Sequence, residues 1–411
     1  MSSSSSRTAD LLARRRRLLA PTYGLFYEEP VHITRASGVW MYGPDDRAYL
    51  DVYNNVPVVG HCHPHVVAAL ARQSALLNTH TRYLTDKPIE LAERLLATFP
   101  PELATAIFTC TGSESNDLAI RVSKVATGGT GVIVTEWAYH GTTETLAGMS
   151  PSSGTGRLGT HVYTVPAPID PESAGQFAAR VQACIETMRA NGVKPAALLV
   201  DTIFSSDGVG SDPPGYLAAA AAHIRAAGGL LIADEVQPGF GRTGHSMWGF
   251  QRHGVVPDLV TMGKPMGNGH PISALIARPE VIADFARQTR YFNTFGGNTV
   301  ACAVALAVLD VIEQEQLITN AREIGAQLRR GLEELASRHP TLGAIRGAGL
   351  FIGAQITTGR AETTRIVNAL RQRGVLIGSA GRNGDALKIR PPLVFKQEHV
   401  DQLLDTLAQV L

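Results

Sequence analysis

The chain has 411 residues, more than one small core can hold, so two or more structural lobes are expected. It carries 37 basic and 36 acidic residues for a net charge of +1, which argues against a nucleic-acid-binding surface as the main function. No run of about 18 apolar residues occurs, so no membrane-spanning helix is expected.

The 41 glycines fall largely in loops between apolar runs, which suits an α/β enzyme with many tight turns. The four cysteines (Cys62, Cys110, Cys184, Cys302) are scattered, with no CxxC pair. They read as reduced, small apolar residues of a cytoplasmic protein.

The start, MSSSSSRTADLLARRRRLLAP, shares serine and arginine enrichment with organelle transit peptides. It is read as a disordered serine-rich tip and a short helix, capped near Thr8 or Asp10 and stopped before Pro21. Leu11, Leu12, Leu18 and Leu19 give that helix one sticky face. Residues 38–53 predict a β-hairpin around a Gly-Pro-Asp-Asp turn. The segment GHCHPH holds three alternating histidines (His61, His63, His65), but no second ligand cluster joins them and Pro64 interrupts, so no metal is expected.

From about residue 88 helices and strands alternate. Helix 88–98 precedes strand 105–110, helix 114–126, strand 131–136 and a helix after Tyr139. Helix 171–191 leads to strand 196–203, and helix 215–227 leads to strand 229–234. Strands near 258–263 and 272–277 follow. This order predicts a mostly parallel sheet with helices on both faces, and a ligand at the C-terminal strand edges. After Thr299 the texture shifts. A helical run over 299–338 precedes strand pieces 344–357, helix 361–373, strands 374–378 and 386–390, and a last helix from 397. The domains expected are an N-terminal segment (1–60) joining the small domain, a large cofactor-binding domain (61–300) and a C-terminal small domain (301–411).

Two charges end apolar strands: Asp234 in LLIADEVQPGFGRTG and Lys264 in VTMGKPMGNG. Isolated ionisable groups are costly on such strands, so the pair suggests a site. Pyridoxal phosphate needs an acid to keep its ring nitrogen protonated and a lysine to hold its aldehyde. The plain alternative is two strand-end charges that reach solvent. In TCTGSESND, Gly112 and Ser113 put free N–H groups and a hydroxyl at a helix N-terminus, a ready anion site. EWAYHGTTE places Tyr139 and His140 after a strand, where an aromatic can stack on a planar ring or plug the sheet edge. Val236 is placed to pack on that ring and Gln237 to reach its hydroxyl. Thr294, in YFNTFGGNTVACA, is a second candidate phosphate donor.

The order of GSES, AYHG, ADEVQPGFGRTG, GKPMGNG, NTFGGN and KIRPP resembles class III aminotransferases over about residues 25–410. That resemblance implies a fold type I pyridoxal-phosphate enzyme: an α/β large domain with a mostly parallel seven-stranded sheet, plus a smaller α+β domain. It implies pyridoxal 5'-phosphate as cofactor and Lys264 as the lysine bonded to it. It makes Asp234 the ring-nitrogen partner, Tyr139 the stacking residue, and Gly112 and Ser113 phosphate donors. Thr294 would serve the other subunit, so a homodimer is implied, with a tetramer as a further option. VYNNVPVVGHCHPHVV, LNTHTRYLTD, VTMGKPMGNGHP and RGAGLFIG are similar to one branch, the phospholyases acting on ethanolamine phosphate and phosphohydroxylysine.

A phosphorylated-amine substrate requires a second anion site. Arg390 matches the family arginine that binds a substrate carboxylate, and a guanidinium holds phosphate equally well through paired N–H bonds. Lys388 is two positions away on the same strand and so shares its face. Arg82, Asn54 and Asn55 are further candidates, with a surface or interface salt bridge as the plain reading of Arg82. Many family members carry a glutamate that neutralises the C-terminal arginine. The matching position here is Asp201, whose shorter side chain is not expected to reach Arg390. The expected activity is loss of phosphate and ammonia from ethanolamine phosphate to give acetaldehyde. The alternative is an ω-aminotransferase using pyruvate or another 2-oxoacid. A cofactor-binding DNA regulator would need a DNA-binding domain, and the first 25 residues are too few for one.

Overall fold

The computed structural model describes residues 2–154, 157–210 and 214–411. Helix α1 (Ser2–Leu18) begins earlier than the expected start near Thr8. A three-stranded meander follows: β1 (Arg35–Ser37), β2 (Trp40–Tyr42) and β3 (Ala48–Asp51), with the Gly-Pro-Asp-Asp turn between the last two. Helix α2 (Pro64–Leu76) was not foreseen, although Pro64 is well suited to a first helical turn. Helix α3 (Asp86–Leu96) precedes the main sheet.

That sheet contains β4 (Thr105–Thr109), β5 (Gly131–Thr135), β6 (Val162–Val165), β7 (Pro195–Asp201), β8 (Leu230–Asp234), β9 (Leu259–Met262) and β10 (Ser273–Ala277). Their order is β4-β10-β9-β8-β7-β5-β6, the expected seven strands. Only β10 runs against its neighbours. The helices around it are α4 (Gly112–Thr127), α5 (Glu144–Ala147), α6 (Pro171–Ala190), α7 (Tyr216–Ala226) and α8 (Pro279–Gln288). Residues 196–200 of β7 and 231–233 of β8 are buried on both faces, which is why these strands read as unbroken apolar runs instead of alternating ones. Strand β6 was missed because VYTV is half-buried at the sheet edge.

The helical run over 299–338 is two helices, α9 (Thr299–Gln314) and α10 (Leu317–Arg338). Gln316 between them adopts φ +51, a left-handed conformation that ends one helix before the next begins. A second sheet follows the order β11-β12-β15-β14, from β11 (Leu342–Ala348), β12 (Phe351–Ile356), β14 (Gly378–Ala380) and β15 (Ala386–Ile389). Helix α11 (Arg360–Gln372) leads into β13 (Val375–Leu376), which pairs in parallel with β3 and ties the N-terminal meander to the C-terminal region. Helix α12 (Gln397–Ala408) ends the chain.

Parallel strands leave their C-terminal ends on one edge. Thr109, Thr135, Asp201, Asp234 and Met262 all close strands there, and Asp234 is flanked by Asp201 on β7 and Thr261 on β9. The fold thereby brings distant segments of the chain to one rim.

Candidate active site

A cavity of about 200 Å³ opens at this rim. It is lined by Thr111, Gly112, Ser113, Asn116, Tyr139, His140, Gly141, Asp234, Val236, Gln237 and Lys264. Eight of the sequence-predicted residues meet here; Asn116 was not among the expectations.

Asp234 ends β8 and is 4% exposed. A carboxylate so placed costs several kcal/mol unless donors surround it. Its Oδ2 accepts from Asn116 Nδ2 at 2.9 Å and is hydrogen-bonded to His140 Nδ1 at 2.7 Å. Its Oδ1 accepts from the Val236 N–H at 3.0 Å. Asn116 is itself oriented: it donates to the His140 carbonyl at 2.8 Å and accepts from the Thr261 hydroxyl at 2.5 Å. The His140 Nε2 is buried and has no partner among the described residues. Tyr139, next to it, is 40% exposed at the cavity wall, and burial followed by the Asp234 charge raises its phenol pKa.

Lys264 follows β9 in a short turn, Lys264–Gly267, with φ +26. A non-glycine residue at positive φ is strained and needs surrounding structure to hold it there. The preceding Gly263 is tightly packed: a Cβ there would lie 3.2 Å from the Gly112 amide nitrogen. This close approach sets the lysine against the start of α4. Burial is the main cause that lowers the Lys264 pKa; Asp234 raises it in part and Arg390 lowers it further.

The start of α4 is an anion cradle. Thr111 caps it by accepting from the Glu114 N–H at 3.1 Å, while Glu114 accepts from the Cys110 N–H at 2.7 Å. Gly112 and Ser113, in the first turn, have N–H groups with no intrahelical carbonyl to reach. Glycine is required at two contacts. A Cβ on Gly112 would meet Val236 at 2.9 Å, and one on Gly141 (φ +145) would meet the Ser113 hydroxyl at 2.6 Å. Pyridoxal phosphate fits this donor set: a carboxylate held by three donors, a buried amine and a helix-start cradle share one cavity.

The expected anion residues are distributed unevenly. Arg390, after β15, is 6% exposed and has no carboxylate partner among the described residues. Its Nη1 donates to Gln237 Oε1 at 2.7 Å and Asn55 Oδ1 at 3.2 Å, and its guanidinium carbon lies 4.4 Å from the Tyr53 ring centre. Its Nε is buried without a partner. Asn55 also donates to Gln237 Oε1 at 2.8 Å. Gln237, expected to reach a cofactor hydroxyl, is therefore the link between the cavity and Arg390.

Asn54, a further candidate, accepts from the Val56 N–H through its Oδ1 at 3.2 Å. Lys388 is 6% exposed, with its amine 5.6 Å from the Phe351 ring centre, and makes no hydrogen bond or ion pair among the described residues. Arg82 stacks at 3.8 Å on Phe292, on an exposed face far in sequence from the cavity residues. Thr294 is exposed on the same loop as Phe292, outside the cavity lining. Asp201 makes no ion pair with Arg390; it accepts from the Ile203 and Ser205 N–H groups, each at 3.0 Å. Burial, then the neighbouring Asp234 charge, raises its pKa. Tyr53 was missed, since nothing local in VYNN marks it as a partner for an arginine over 300 residues away.

The histidines of GHCHPH diverge to separate carboxylates. His61 pairs with Asp51 at 2.7 Å, His63 with Glu315 at 3.0 Å and His65 with Asp310 at 3.0 Å.

A family model described as aminotransferase class-III matches residues 26–411. A phospholyase from Arthrobacter, solved in complex with phosphoethanolamine, is similar with TM-score 0.94 and 42% identity, covering 97% of this chain and 99% of that one. The ethanolamine-phosphate phospho-lyase homolog 1 of Caenorhabditis elegans is 35% identical, covering 98% of this chain and 93% of its own length. An alanine–glyoxylate aminotransferase 2-like protein of Drosophila melanogaster is 37% identical, covering 92% and 82% respectively.

Proposed function

The chain belongs to the class III aminotransferase family and its cofactor is pyridoxal 5'-phosphate; from that premise we propose that it is a phospholyase converting ethanolamine phosphate and water to acetaldehyde, ammonia and inorganic phosphate. The observation that carries this reading is Arg390: a buried cation held by two neutral amides and an aromatic face, with an unpartnered Nε. A buried charge lacking a counter-ion is costly, so the site gains most from a substrate that brings an anion. The likeness to the phosphoethanolamine-bound Arthrobacter enzyme supports phosphate as that anion.

The bound cofactor makes the substrate carbon beside the nitrogen acidic by drawing electrons into its ring. Asp234, fixed by Asn116, His140 and the Val236 N–H, holds the ring nitrogen's proton. Gly112 and Ser113 would hold the cofactor phosphate, Tyr139 and Val236 would pack on its ring, and Gln237 would reach its hydroxyl. Lys264 would hold the cofactor's aldehyde, and its free amine would take the proton from substrate C1. Burial favours the neutral amine this step requires. Arg390, oriented by Asn55 and Gln237, holds the substrate phosphate, which departs with the electron pair of the C2–O bond. Lys388 stands on β15, two positions before Arg390, and Arg82 lies exposed against Phe292. Placing the phosphate in line for departure is what favours elimination over amino transfer.

The protein acts as a homodimer in the cytoplasm in this reading, with Thr294 serving the partner's cofactor phosphate. Incubation with ethanolamine phosphate alone tests the activity. Equal amounts of phosphate, ammonia and acetaldehyde should form without any 2-oxoacid. Alanine formation from pyruvate and a simple amine, with no phosphate release, would replace this reading with the aminotransferase one, which the Drosophila relative's name favours.

A further inference from the structure

The segment between β3 and His61, residues 52–60, spans the two poles of the site. At one end the Arg390 N–H donates to the Val52 carbonyl at 2.9 Å, and Tyr53 and Asn55 contact the Arg390 guanidinium. At the other, the Val59 N–H donates to Asn268 Oδ1 at 3.0 Å, and Asn268 Nδ2 donates to the Gly60 carbonyl at 2.9 Å. Asn268 is four residues beyond Lys264 and caps its turn. One short loop thus touches both the strand that carries the anion-binding arginine and the turn that carries the lysine.

The loop is closed by a clasp. Asp51 is 1% exposed, and its Oδ2 is hydrogen-bonded to His61 Nε2 at 2.7 Å. Its other oxygen accepts from the Tyr53 N–H at 3.1 Å and the Asn54 N–H at 2.9 Å. One carboxylate therefore fixes both the closure of the loop and the turn that aims Tyr53 and Asn55. Neither Asp51 nor His61 lines the cavity. The geometry points to Asp51 and His61 as positioning residues that set the anion subsite around Arg390 and hold it in register with Lys264. They act through Tyr53 and Asn55. This rests on the reading that Arg390 receives the anionic end of the substrate.

The test uses the full-length holoenzyme and a probe that needs no turnover. Titration with inorganic phosphate, and separately with acetate, is followed through the absorbance of the bound cofactor. Asp51→Asn should weaken anion binding at least tenfold, and the KM for ethanolamine phosphate should rise in step, by a larger factor than kcat falls. The cofactor affinity should stay within twofold. His61→Gln, whose amide can still donate to Asp51, should bind anions better than His61→Ala. If Asp51→Asn does not fold, the His61 pair decides. Equal anion affinity in His61→Gln, His61→Ala and wild type overturns the inference, as does parallel loss of anion and cofactor binding. Wild-type enzyme that binds neither anion overturns the Arg390 reading and this inference together. Wild-type enzyme that binds acetate, releases no phosphate from ethanolamine phosphate and loses acetate binding on Asp51→Asn refutes the phospholyase alone and upholds the clasp.

Discussion

His140 Nδ1 lies 2.7 Å from Asp234 Oδ2, and both side chains are almost wholly enclosed. With Asn116 on the same oxygen and the Val236 N–H on the other, three donors converge on one carboxylate. The cavity thereby presents one carboxylate, fixed in place by these contacts, to whatever nitrogen faces it.

Asp234→Asn should retain cofactor but lose roughly a hundredfold or more in turnover, on the scale seen when a preorganised electrostatic group is removed. An amide has one acceptor oxygen for three donors and carries no charge. Lys264 and the α4 cradle remain to hold the cofactor. The check pairs the absorbance of bound cofactor with the steady-state rate, and activity within a few-fold of wild type would refute the role given to Asp234.

Asp234 and Lys264 were legible in the sequence because each ends an unbroken apolar run, where a charge stands out. The cradle was legible for a similar reason: Gly112 and Ser113 follow a strand directly. Asn116 was not, since its partner Asp234 is 118 residues away and an asparagine inside GSESND looks like any exposed helix position. The Asp51–His61 clasp hid inside a histidine-rich motif whose spacing invites a metal reading. Adjacent asparagines in a loop look alike in sequence; only the structure separates Asn54, which accepts from the Val56 N–H, from Asn55, which contacts the arginine. The break at Gln316 left no glycine or proline to mark it. Helix α8 was missed because its stretch joins the sheet to a loop of mixed texture, although Pro279 suits its first turn.

Arg390→Ala should raise the KM for ethanolamine phosphate severely, because a charge-assisted contact worth roughly 1.5–3 kcal/mol is lost. That corresponds to about ten- to a hundredfold. Arg390→Lys should recover part of the loss, since an ammonium binds phosphate as a point charge but cannot span Asn55, Gln237 and phosphate at once. Steady-state kinetics of the three proteins decide it; an Arg390→Ala enzyme with wild-type KM would remove Arg390 from the substrate site.

Lys388→Met should stabilise the protein near neutral pH by roughly 1–3 kcal/mol, the cost of burying a polar group without a hydrogen bond. Burial, and next the neighbouring Arg390, push the Lys388 pKa well below its ordinary 10.5. Below the depressed folded value the amine is charged in both folded and unfolded chains, and the cost of burying it is fully present. Between that value and 10.5 the unfolded chain binds more protons, so wild-type stability rises with pH. Above 10.5 both forms are neutral and the cost is gone. Urea unfolding of both proteins at pH 7 and pH 10 should show the advantage of Lys388→Met shrinking, and an advantage that grows with pH would contradict the assigned cause.

The last prediction concerns the partner subunit. Thr294 is exposed on a loop whose neighbours Phe292 and Phe295 are 42% and 69% exposed, and Leu84 on a second loop is 93% exposed. The two loops are joined: Arg82 stacks on Phe292, and His80 packs edge-on against it with ring centres 5.8 Å apart. The first loop is also anchored to the cradle, through Asn293 Nδ2 donating to Glu114 Oε2 at 3.3 Å. Large apolar side chains gathered on one face suit an association surface, and this face adjoins the start of α4, which is what the proposed dimer requires. A second copy docked there would bring each Thr294 toward the other's Gly112 and Ser113. Lys264→Ala and Thr294→Ala chains, each impaired alone, should therefore complement when refolded together. Each mixed dimer then has one site with both residues intact, so up to about half of the dimers regain one working site at random pairing. Sedimentation should show a dimer throughout. Recovery no greater than the sum of the separate proteins would place Thr294 in its own chain's site, and a fully active monomer would remove the shared-site arrangement altogether.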